Sequence, residues 1–495
     1  MHLPSAGFGA RLKRAVSGSP DTPLVFLGNF EVENHWALGE PALPRVASHA
    51  GSAVVNRMDE FTLLLGGKDD HVVLKTAPDD GYRGYLEGLG LQLPTVHVVA
   101  GQDPQRTVSE DALADPALLD ALAGLTADGA RLTAHGISAV EEELAARTGL
   151  PLAAPAAAVC KRVNSKVYSR RLADELGIRQ ARGWACETLE ELADAVAAAG
   201  ELLDAGRKVV LKDAFGVSGK GIVVLDSAAR LGRLHRMAVQ QAEKAARAAQ
   251  DGAGVPRTAL VVEEWVAKRC DLNYQFTVGR DGSVHFDFVK ELLTEGGVHK
   301  GHRIPARLSD RQVAEIAATA LRLGERLAAD GYYGVVGVDA MVDPDEGLYP
   351  VIEINARNNM STYQNVVHEG GLAGPEDVAV ARHYPLRLTR PLPFAELAER
   401  LDGLLLDEPV RDEPDGPAPD GARPDGARPD GRGARPRGLF VNNYATVNAA
   451  HGTAADSPEG FEGRLYGVLV GASDEEIAAL DTDITRRLAA FPERS

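Results

Sequence analysis

The sequence predicts an α/β protein whose second half has α+β character and which contains more than one domain. Short apolar strands alternate with helical stretches over residues 23–155, which is typical of a parallel, doubly wound sheet. From residue 156 onward several strands follow one another directly, and a glycine-rich loop joins two of them. A low-complexity stretch at 406–438 separates a short β/α segment from the rest.

Composition and charge argue against several classes of protein. The net charge is −18 and no long basic block is present, which argues against a nucleic-acid binder and against an anionic-membrane anchor. The three cysteines form no CxxC pair, so we expect reduced thiols in a cytoplasmic protein rather than disulfides or a zinc site. The first residues lack an apolar signal core, and no run of ~18 apolar residues could span a membrane.

The N-terminal part is predicted to be a loose leader over residues 1–22, followed by the α/β domain over 23–155. The predicted strands are Leu24–Leu27, Ala53–Val55, His71–Leu74, Thr95–Val99 and Arg131–Ala134. The first strand runs into Gly28-Asn29-Phe30, a turn of the kind that lines a ligand cleft. Since GxGxxG is absent, a packing domain without a ligand of its own is an equal alternative.

The next segment carries lysines at places where a phosphate could bind. A helix that ends at Gly177 has Lys166 near its start, and the strand Lys208–Lys212 ends in a lysine. The loop Gly216–Gly221 follows, then strand Ile222–Leu225. Its glycines let backbone N–H groups approach an anion, although a strand follows where a P-loop has a helix. Alone, this loop is equally well read as a hairpin turn.

An apolar strand then ends in Glu263-Glu264-Trp265-Val266, and two antiparallel strands, Leu272–Val278 and Val284–Val289, follow. We expect a flexible loop over Thr294–Arg303. Its cations, His299, Lys300, His302 and Arg303, suit a carboxylate or phosphate, with a solvated loop as the alternative.

The stretch Val335–Asn359 predicts a β-hairpin that carries metal ligands. Glu353 and Asn355 are two positions apart, so they point to one face of a strand. Asp339 on the partner strand can face them across the ladder. Carboxylate and carboxamide oxygens suit Mg²⁺ that carries a polyphosphate.

The last part is predicted to hold a disordered linker and a cap. DGARP recurs within 406–438, and this composition cannot bury a core. Residues 439–495 predict a small β/α cap that docks on the main body.

Taken in chain order, one set of residues resembles the ATP-grasp superfamily over about residues 160–370: Lys166, Lys212, Gly216–Gly221, Glu263–Val266, Asp339 and Glu353-x-Asn355-x-Arg357. The preceding domain resembles the pre-ATP-grasp domain, and the whole is similar to natural-product peptide ligases of the pheganomycin type. The resemblance implies a two-lobed fold over 156–405, with a small lobe at about 165–262 and a large lobe at about 263–405.

The resemblance also implies roles for these residues. Lys166 and Lys212 would contact ATP phosphates, and Lys212 would also lie near the adenine. Mg²⁺ or Mn²⁺ would be held by Asp339, which stands where many members carry glutamate, and by Glu353 and Asn355. Arg357 would stabilise the acyl phosphate and the following oxyanion. The flap would cover the phosphates and the next strand would bind the adenine, through the following residues: Gly216, Ser218, Gly219, Lys220 and Gly221; Glu263, Glu264 and Val266.

The expected function is ATP-dependent ligation of a small-molecule or peptide carboxylate to an amine in specialised metabolite biosynthesis. The carboxylate becomes an acyl phosphate before the amine attacks, and ADP and phosphate are released. Similar proteins often form homodimers. The alternatives are a phosphotransferase or thioester-forming ligase of the same fold, and a non-catalytic ATP-binding regulatory protein; retention of Asp339, Glu353, Asn355 and Arg357 argues against the last.

Overall fold

The strands of the computed structural model group into three sheets, one for each major part of the chain. The structure describes residues 7–41, 43, 52–216, 221–248, 255–295, 298–407, 437–453 and 460–489. None of the helices in this described part combines the length and the apolar character that crossing a bilayer requires.

A parallel four-stranded sheet in the order β3-β2-β1-β4 forms the core of the N-terminal domain. Its strands are β1 (Leu24–Leu27), β2 (His71–Leu74), β3 (Thr95–Val98) and β4 (Arg131–Ala134). The α-helices of this part are α1 (Phe8–Ser17), α2 (Val32–Trp36), α3 (Ser52–Asn56), α4 (Asp80–Gly88), α5 (Val108–Leu113), α6 (Pro116–Gly124) and α7 (Ala139–Thr148). The parallel sheet that the alternating pattern predicts is confirmed.

An antiparallel sheet in the order β5-β8-β6-β7 forms the next part. Its elements are α8 (Ala157–Val163), α9 (Lys166–Glu175), β5 (Gly183–Thr188), α10 (Leu189–Asp204), β6 (Val209–Asp213), β7 (Ile222–Leu225), α11 (Ala228–Ala248) and β8 (Arg257–Glu264). One face packs on α10, where Leu260 and Val262 join Leu192 in a buried cluster. Lys212 and Glu263 lie on the opposite face, because side chains alternate along a strand.

An antiparallel eight-stranded sheet in the order β13-β12-β9-β10-β11-β14-β16-β15 completes the fold. Its strands are β9 (Cys270–Val278), β10 (Val284–Glu295), β11 (Val298–Ile304), β12 (Gly334–Val342), β13 (Leu348–Asn355), β14 (Val378–Leu388), β15 (Gly438–Asn443) and β16 (Phe461–Gly471). The helices here are α12 (Asp310–Ala329), α13 (Met360–Tyr363), α14 (Val366–Glu369), α15 (Phe394–Arg400) and α16 (Asp474–Leu488).

The N-terminal segment differs from the expected loose leader and strand. Helix α1 buries Phe8, Leu12 and Val16, which recur every four residues and so line one helix face. The predicted strand Ala53–Val55 is helical and lies in α3, where the buried residues Ala53 and Asn56 have helical spacing.

Two later segments also differ from expectation. The predicted flexible loop Thr294–Arg303 is instead the end of a β10–β11 hairpin, outside residues 296–297, which the structure does not describe. The predicted separate cap at 439–495 is part of the eight-stranded sheet, since β16 pairs with β14 along eleven residues. Most of the predicted linker, 408–436, lies outside the described residues.

Candidate active site

The predicted metal ligands meet on the β12–β13 hairpin. Asp339 lies directly opposite Glu353, and Gly337 lies opposite Asn355. Asn355 Nδ2 donates to Asp339 Oδ2 at 3.4 Å. Burial and the neighbouring Glu353 raise the pKa of Asp339 to about 6, a cost that a bound cation would relieve. The described residues contain no cluster of three His, Cys, Asp or Glu side chains, so this site would rest on two carboxylates and one carboxamide. Such hard oxygen ligands fit Mg²⁺.

Asp339 has a further partner that the sequence analysis did not identify. Asn273 on β9 is its cross-strand neighbour, and Asn273 Nδ2 donates to Asp339 Oδ1 at 2.9 Å. This bond orients the carboxylate toward Glu353. Asn273 is buried in the structure, but it stands at a polar position of the alternating sequence of β9, where a solvent-facing side chain is expected. The sequence therefore carries no signal for this contact.

Lys166 joins the hairpin to the flap. Ser165 caps α9 by accepting from the Val167 N–H, which fixes Lys166 in the first turn. Lys166 Nζ contacts Glu353 Oε1 at 2.5 Å and donates to the Gly216 carbonyl at 2.6 Å. One ammonium group therefore lies between the proposed metal ligands and the base of the glycine-rich loop.

Lys212 lies on the same face of the small sheet as Glu263, and the two side chains form an ion pair. Arg170 on α9 adds a second cation, with Nη1 3.1 Å from Glu263 Oε1. Burial alone would raise the pKa of Glu263, but Lys212 and Arg170 outweigh it and hold the pKa below its usual value. Glu263 is thus an ionised carboxylate with two cationic partners.

The other predicted nucleotide contacts are placed as follows. Glu264 pairs with Arg207, and its backbone N–H donates to the Arg182 carbonyl at 2.7 Å. Val266 is half-buried in the connection from β8 to β9. Gly221 has a φ of 83°, which favours glycine, and its carbonyl accepts from the Asp213 N–H at 2.8 Å. Three of the predicted flap contacts lie outside the described residues, which exclude 217–220: Ser218, Gly219 and Lys220.

Arg357 is fixed from three sides. Nη2 donates to Asn355 Oδ1 at 3.2 Å, and Nη1 donates to the Asn358 carbonyl at 3.0 Å. Nε lies 2.5 Å from Glu33 Oε1, in an ion pair whose N–H is not aligned as a hydrogen bond. Glu33 belongs to α2, so the N-terminal domain reaches the predicted catalytic arginine. The sequence analysis singled out the adjoining turn Gly28-Asn29-Phe30 but not Glu33.

Two further features lie away from this centre. A groove of about 770 Å³ runs along the other face of α9, and none of the predicted site residues lines it. Arg303, a predicted substrate contact, instead forms an ion pair with Asp474 of α16 at 2.9 Å. The predicted site residues therefore lie mainly where α9, β6, β8 and the β12–β13 hairpin meet.

Two family models match the chain. The pre ATP-grasp domain matches residues 58–150, and the carbamoyl-phosphate synthase L chain ATP-binding domain matches residues 165–365. The first match covers β2, β3 and β4 but not β1 or Glu33, and the second contains the predicted nucleotide, metal and catalytic residues from Lys166 to Arg357.

Two curated proteins are similar in sequence to part of this chain. The [butirosin acyl-carrier protein]–L-glutamate ligase of Niallia circulans is 28% identical over 325 residues, which is 65% of this chain and 68% of the relative. A formate-dependent phosphoribosylglycinamide formyltransferase of Synechococcus is 29% identical over 204 residues, covering 41% of this chain and 46% of that protein. The chain therefore spans less than half of the second relative.

One solved structure resembles the whole fold. The ATP-analogue complex of biotin carboxylase from Campylobacter jejuni superposes with a TM-score of 0.51 and 16% identity, covering 92% of this chain and 89% of that chain. At this identity the likeness concerns the fold alone. It agrees with the arrangement of a parallel N-terminal sheet followed by two antiparallel sheets.

Proposed function

We propose that this chain, in which a pre-ATP-grasp domain precedes an ATP-grasp domain, is an ATP-dependent, ADP-forming carboxylate–amine ligase. The observation that carries the proposal is the register of the β12–β13 hairpin. It sets Asp339 against Glu353, while Lys166 contacts Glu353 from α9. Acidic oxygens and an ammonium group at one place suit the transfer of a phosphoryl group.

A carboxylate needs activation before an amine can attack it, because its leaving group would be oxide. Transfer of the γ-phosphoryl group to the carboxylate replaces that oxide with phosphate. Phosphoryl transfer depends on positioning and charge neutralisation rather than on covalent work by the protein. In this proposal Asp339, Glu353 and Asn355 hold Mg²⁺ or Mn²⁺, which would neutralise phosphate charge when bound.

The remaining residues take the roles that the resemblance implies. Lys166 and Lys212 contact phosphates, and the Gly216–Gly221 flap excludes water from the acyl phosphate. The β8 end binds the adenine through Glu263, Glu264 and Val266. Arg357 stabilises the acyl phosphate and the oxyanion that forms when the amine attacks.

The relative from Niallia circulans supports an amino-acid carboxylate as the first substrate to test, because its name specifies L-glutamate and an acyl-carrier protein. We propose a small-molecule or peptide carboxylate and an amine as substrates, in specialised metabolite biosynthesis in the cytoplasm. A homodimer is part of the same proposal.

The test measures the products formed from ATP and L-glutamate, followed by other amino acids and short peptides in pairs. We expect ADP and phosphate, and an amine-dependent amide product. Hydroxylamine should trap the acyl phosphate as a hydroxamate. Glu353→Ala should lower turnover by at least about 100-fold, since one metal ligand and the Lys166 contact are lost together.

Glu325→Ala is the matched control, because Glu325 is an exposed acid on α12. It should leave turnover unchanged. Formation of AMP, or full activity of Glu353→Ala, would sink the proposal. A phosphorylated acceptor without hydroxamate would favour the phosphotransferase alternative, and a thioester product would favour the thioester-forming one.

A further inference from the structure

The N-terminal sheet has a crevice that faces the ATP-grasp part. Strand β1 has β2 on one side and β4 on the other, so the loops after β1 and β4 diverge at their carboxyl ends. In open parallel sheets this switch point is where ligands bind. The loop after β1 leads into α2, whose first turn carries Glu33, and the loop after β4 begins at His135.

The segment that follows β13 enters this crevice. The Asn358 N–H donates to the His135 carbonyl at 3.0 Å, and the Tyr363 hydroxyl lies 2.8 Å from His135 Nδ1. Phe30 stacks on the His135 ring, with the centroids 4.3 Å apart. These contacts fix the crevice against the residues on either side of Arg357. The switch point of the N-terminal sheet therefore lies beside Arg357, the residue proposed to stabilise the acyl phosphate.

Glu33 places a carboxylate beside Arg357. It is 8% exposed, and within the described part of the chain Arg357 is its ion-pair partner. The side chains of Glu33 and Arg357 keep 10% and 15% of their surface, so a ligand can reach both. A buried ion pair adds little net stability, because desolvation offsets the attraction. We therefore expect the Glu33–Arg357 pair to serve substrate binding rather than stability.

The amine substrate brings the complementary charge. An aliphatic amine is an ammonium ion near neutral pH, and it must lose a proton to become a nucleophile. We propose that the crevice of the N-terminal domain receives the amine substrate as its ammonium ion, and that Glu33 binds it and accepts a proton from it. This inference rests on the proposed ligase function.

The step balances without another reactant. One ammonium proton passes to the Glu33 carboxylate, which frees the nitrogen lone pair to form the C–N bond. The C–O bond to phosphate then breaks, and its electron pair leaves on the phosphate, which takes the second proton. The nitrogen keeps one hydrogen in the amide. Glu33 releases its proton to solvent when the product leaves.

The experiment compares two nucleophiles in wild-type protein and Glu33→Gln. L-Glutamate and MgATP are the other reactants. Hydroxylamine is largely unprotonated near neutral pH and needs no carboxylate partner, whereas ammonium ion, glycine and the other amino acids arrive with a protonated amino group. We expect Glu33→Gln to lower amide formation about 100-fold more than it lowers hydroxamate formation, as the loss of a general base does. Glu33→Asp should restore part of the amide rate.

Glu40→Gln is the control, since Glu40 also belongs to the N-terminal part and pairs with a cation, Lys161, at 2.6 Å, but lies along the groove behind α9. It should change neither rate. A parallel fall of both rates in Glu33→Gln would mean that Glu33 only positions Arg357, and would overturn the proposal, as would an unchanged amide rate. Wild-type protein that uses hydroxylamine but none of the cationic amines would also overturn it. Absence of ADP and hydroxamate in wild-type protein would instead count against the ligase function, and the inference would fall with it.

Discussion

The two halves of the eight-stranded sheet share one backbone geometry but differ in what their side chains contribute. In the half β13-β12-β9-β10, cross-strand pairing aligns one row of polar residues: Glu353, Asp339, Asn273 and Lys290. In the half β11-β14-β16-β15, pairing across the last three strands aligns Ala381, Val468 and Phe440, all buried and apolar.

The difference indicates where the sheet serves chemistry and where it serves stability. A buried polar group costs free energy unless it is paired, while a buried apolar group contributes about 25 cal/mol per Å². The apolar row is what stability alone would select. Four polar residues in register require another reason, and the adjoining Lys166 and Arg357 provide one. Substitutions in each half should therefore have different consequences.

The largest effect is expected at Lys290, the inner end of the polar row. Lys290 is 1% exposed, and its ammonium donates to the Ser361 carbonyl at 3.0 Å. Burial lowers its pKa from 10.5 to about 7, which corresponds to at most about 5 kcal/mol. Lys290→Met removes that cost, so we expect a higher urea midpoint at pH 7 and below.

The stability gained by Lys290→Met should decrease as the pH rises. Between pH 7 and 10.5 the unfolded protein holds a proton on Lys290 that the folded protein lacks, so wild-type stability rises with pH in this window. The advantage of Lys290→Met should accordingly shrink as the pH approaches 10.5. Lys244→Met, at an exposed position of α11, is the control and should change the midpoint little at either pH. An equal gain at pH 7 and near pH 10 would show that packing, not charge burial, sets the effect.

The second effect concerns Asn273, which orients Asp339 without being a proposed ligand. Asn273→Leu keeps the branched shape and the number of side-chain heavy atoms but removes the 2.9 Å bond to Asp339. Loss of such a supporting contact typically costs 10–100-fold in activity or metal affinity, so turnover should fall by about that factor and the half-activating Mg²⁺ concentration should rise.

Tyr274→Phe is a control on the same strand. Its hydroxyl bonds the Pro350 carbonyl at 3.0 Å on the opposite face of β9. The variant should lose about 1 kcal/mol of stability and keep its Mg²⁺ dependence. If Asn273→Leu and Tyr274→Phe showed the same Mg²⁺ dependence, the polar row would not be distinguished from the rest of the sheet.

The sequence predicts the polar hairpin well because its information is local. Two strands, one turn and period-two alternation suffice to set Asp339 opposite Glu353, and the structure has that pairing. The parallel N-terminal sheet is likewise predicted by the alternation of strands and helices. Both predictions depend on residues that lie close together in the sequence.

What the sequence does not predict depends on distant partners. Asn273 meets Asp339 only through the pairing of β9 with β12, and Glu33 meets Arg357 across 324 positions, from 33 to 357, in a separate domain. The segment Thr294–Arg303 is rich in glycine and charge, so local composition predicts a loop, yet pairing with β10 makes it a strand. The C-terminal strand β16 pairs with β14 across the linker, and β15 pairs with β16, which no local pattern indicates.

The smallest effect is expected in the apolar half, at the ion pair that ties β11 to α16. Arg303 Nε and Nη2 contact the two oxygens of Asp474 at 2.9 and 3.1 Å, but the Asp474 side chain is 52% exposed, so solvent screens the pair. Asp474→Ala should lower the free energy of unfolding, measured by urea titration, by about 1 kcal/mol or less and leave turnover unchanged. Arg303 holds the pKa of Asp474 below its ordinary value, so this contribution is present at neutral pH and is lost as the pH falls through the lowered pKa. Wild-type protein and the variant should therefore converge in acid. A fall in turnover at neutral pH, with the midpoint unchanged, would mean that this half of the sheet also reaches the chemistry, because β11 is the strand next to Lys290.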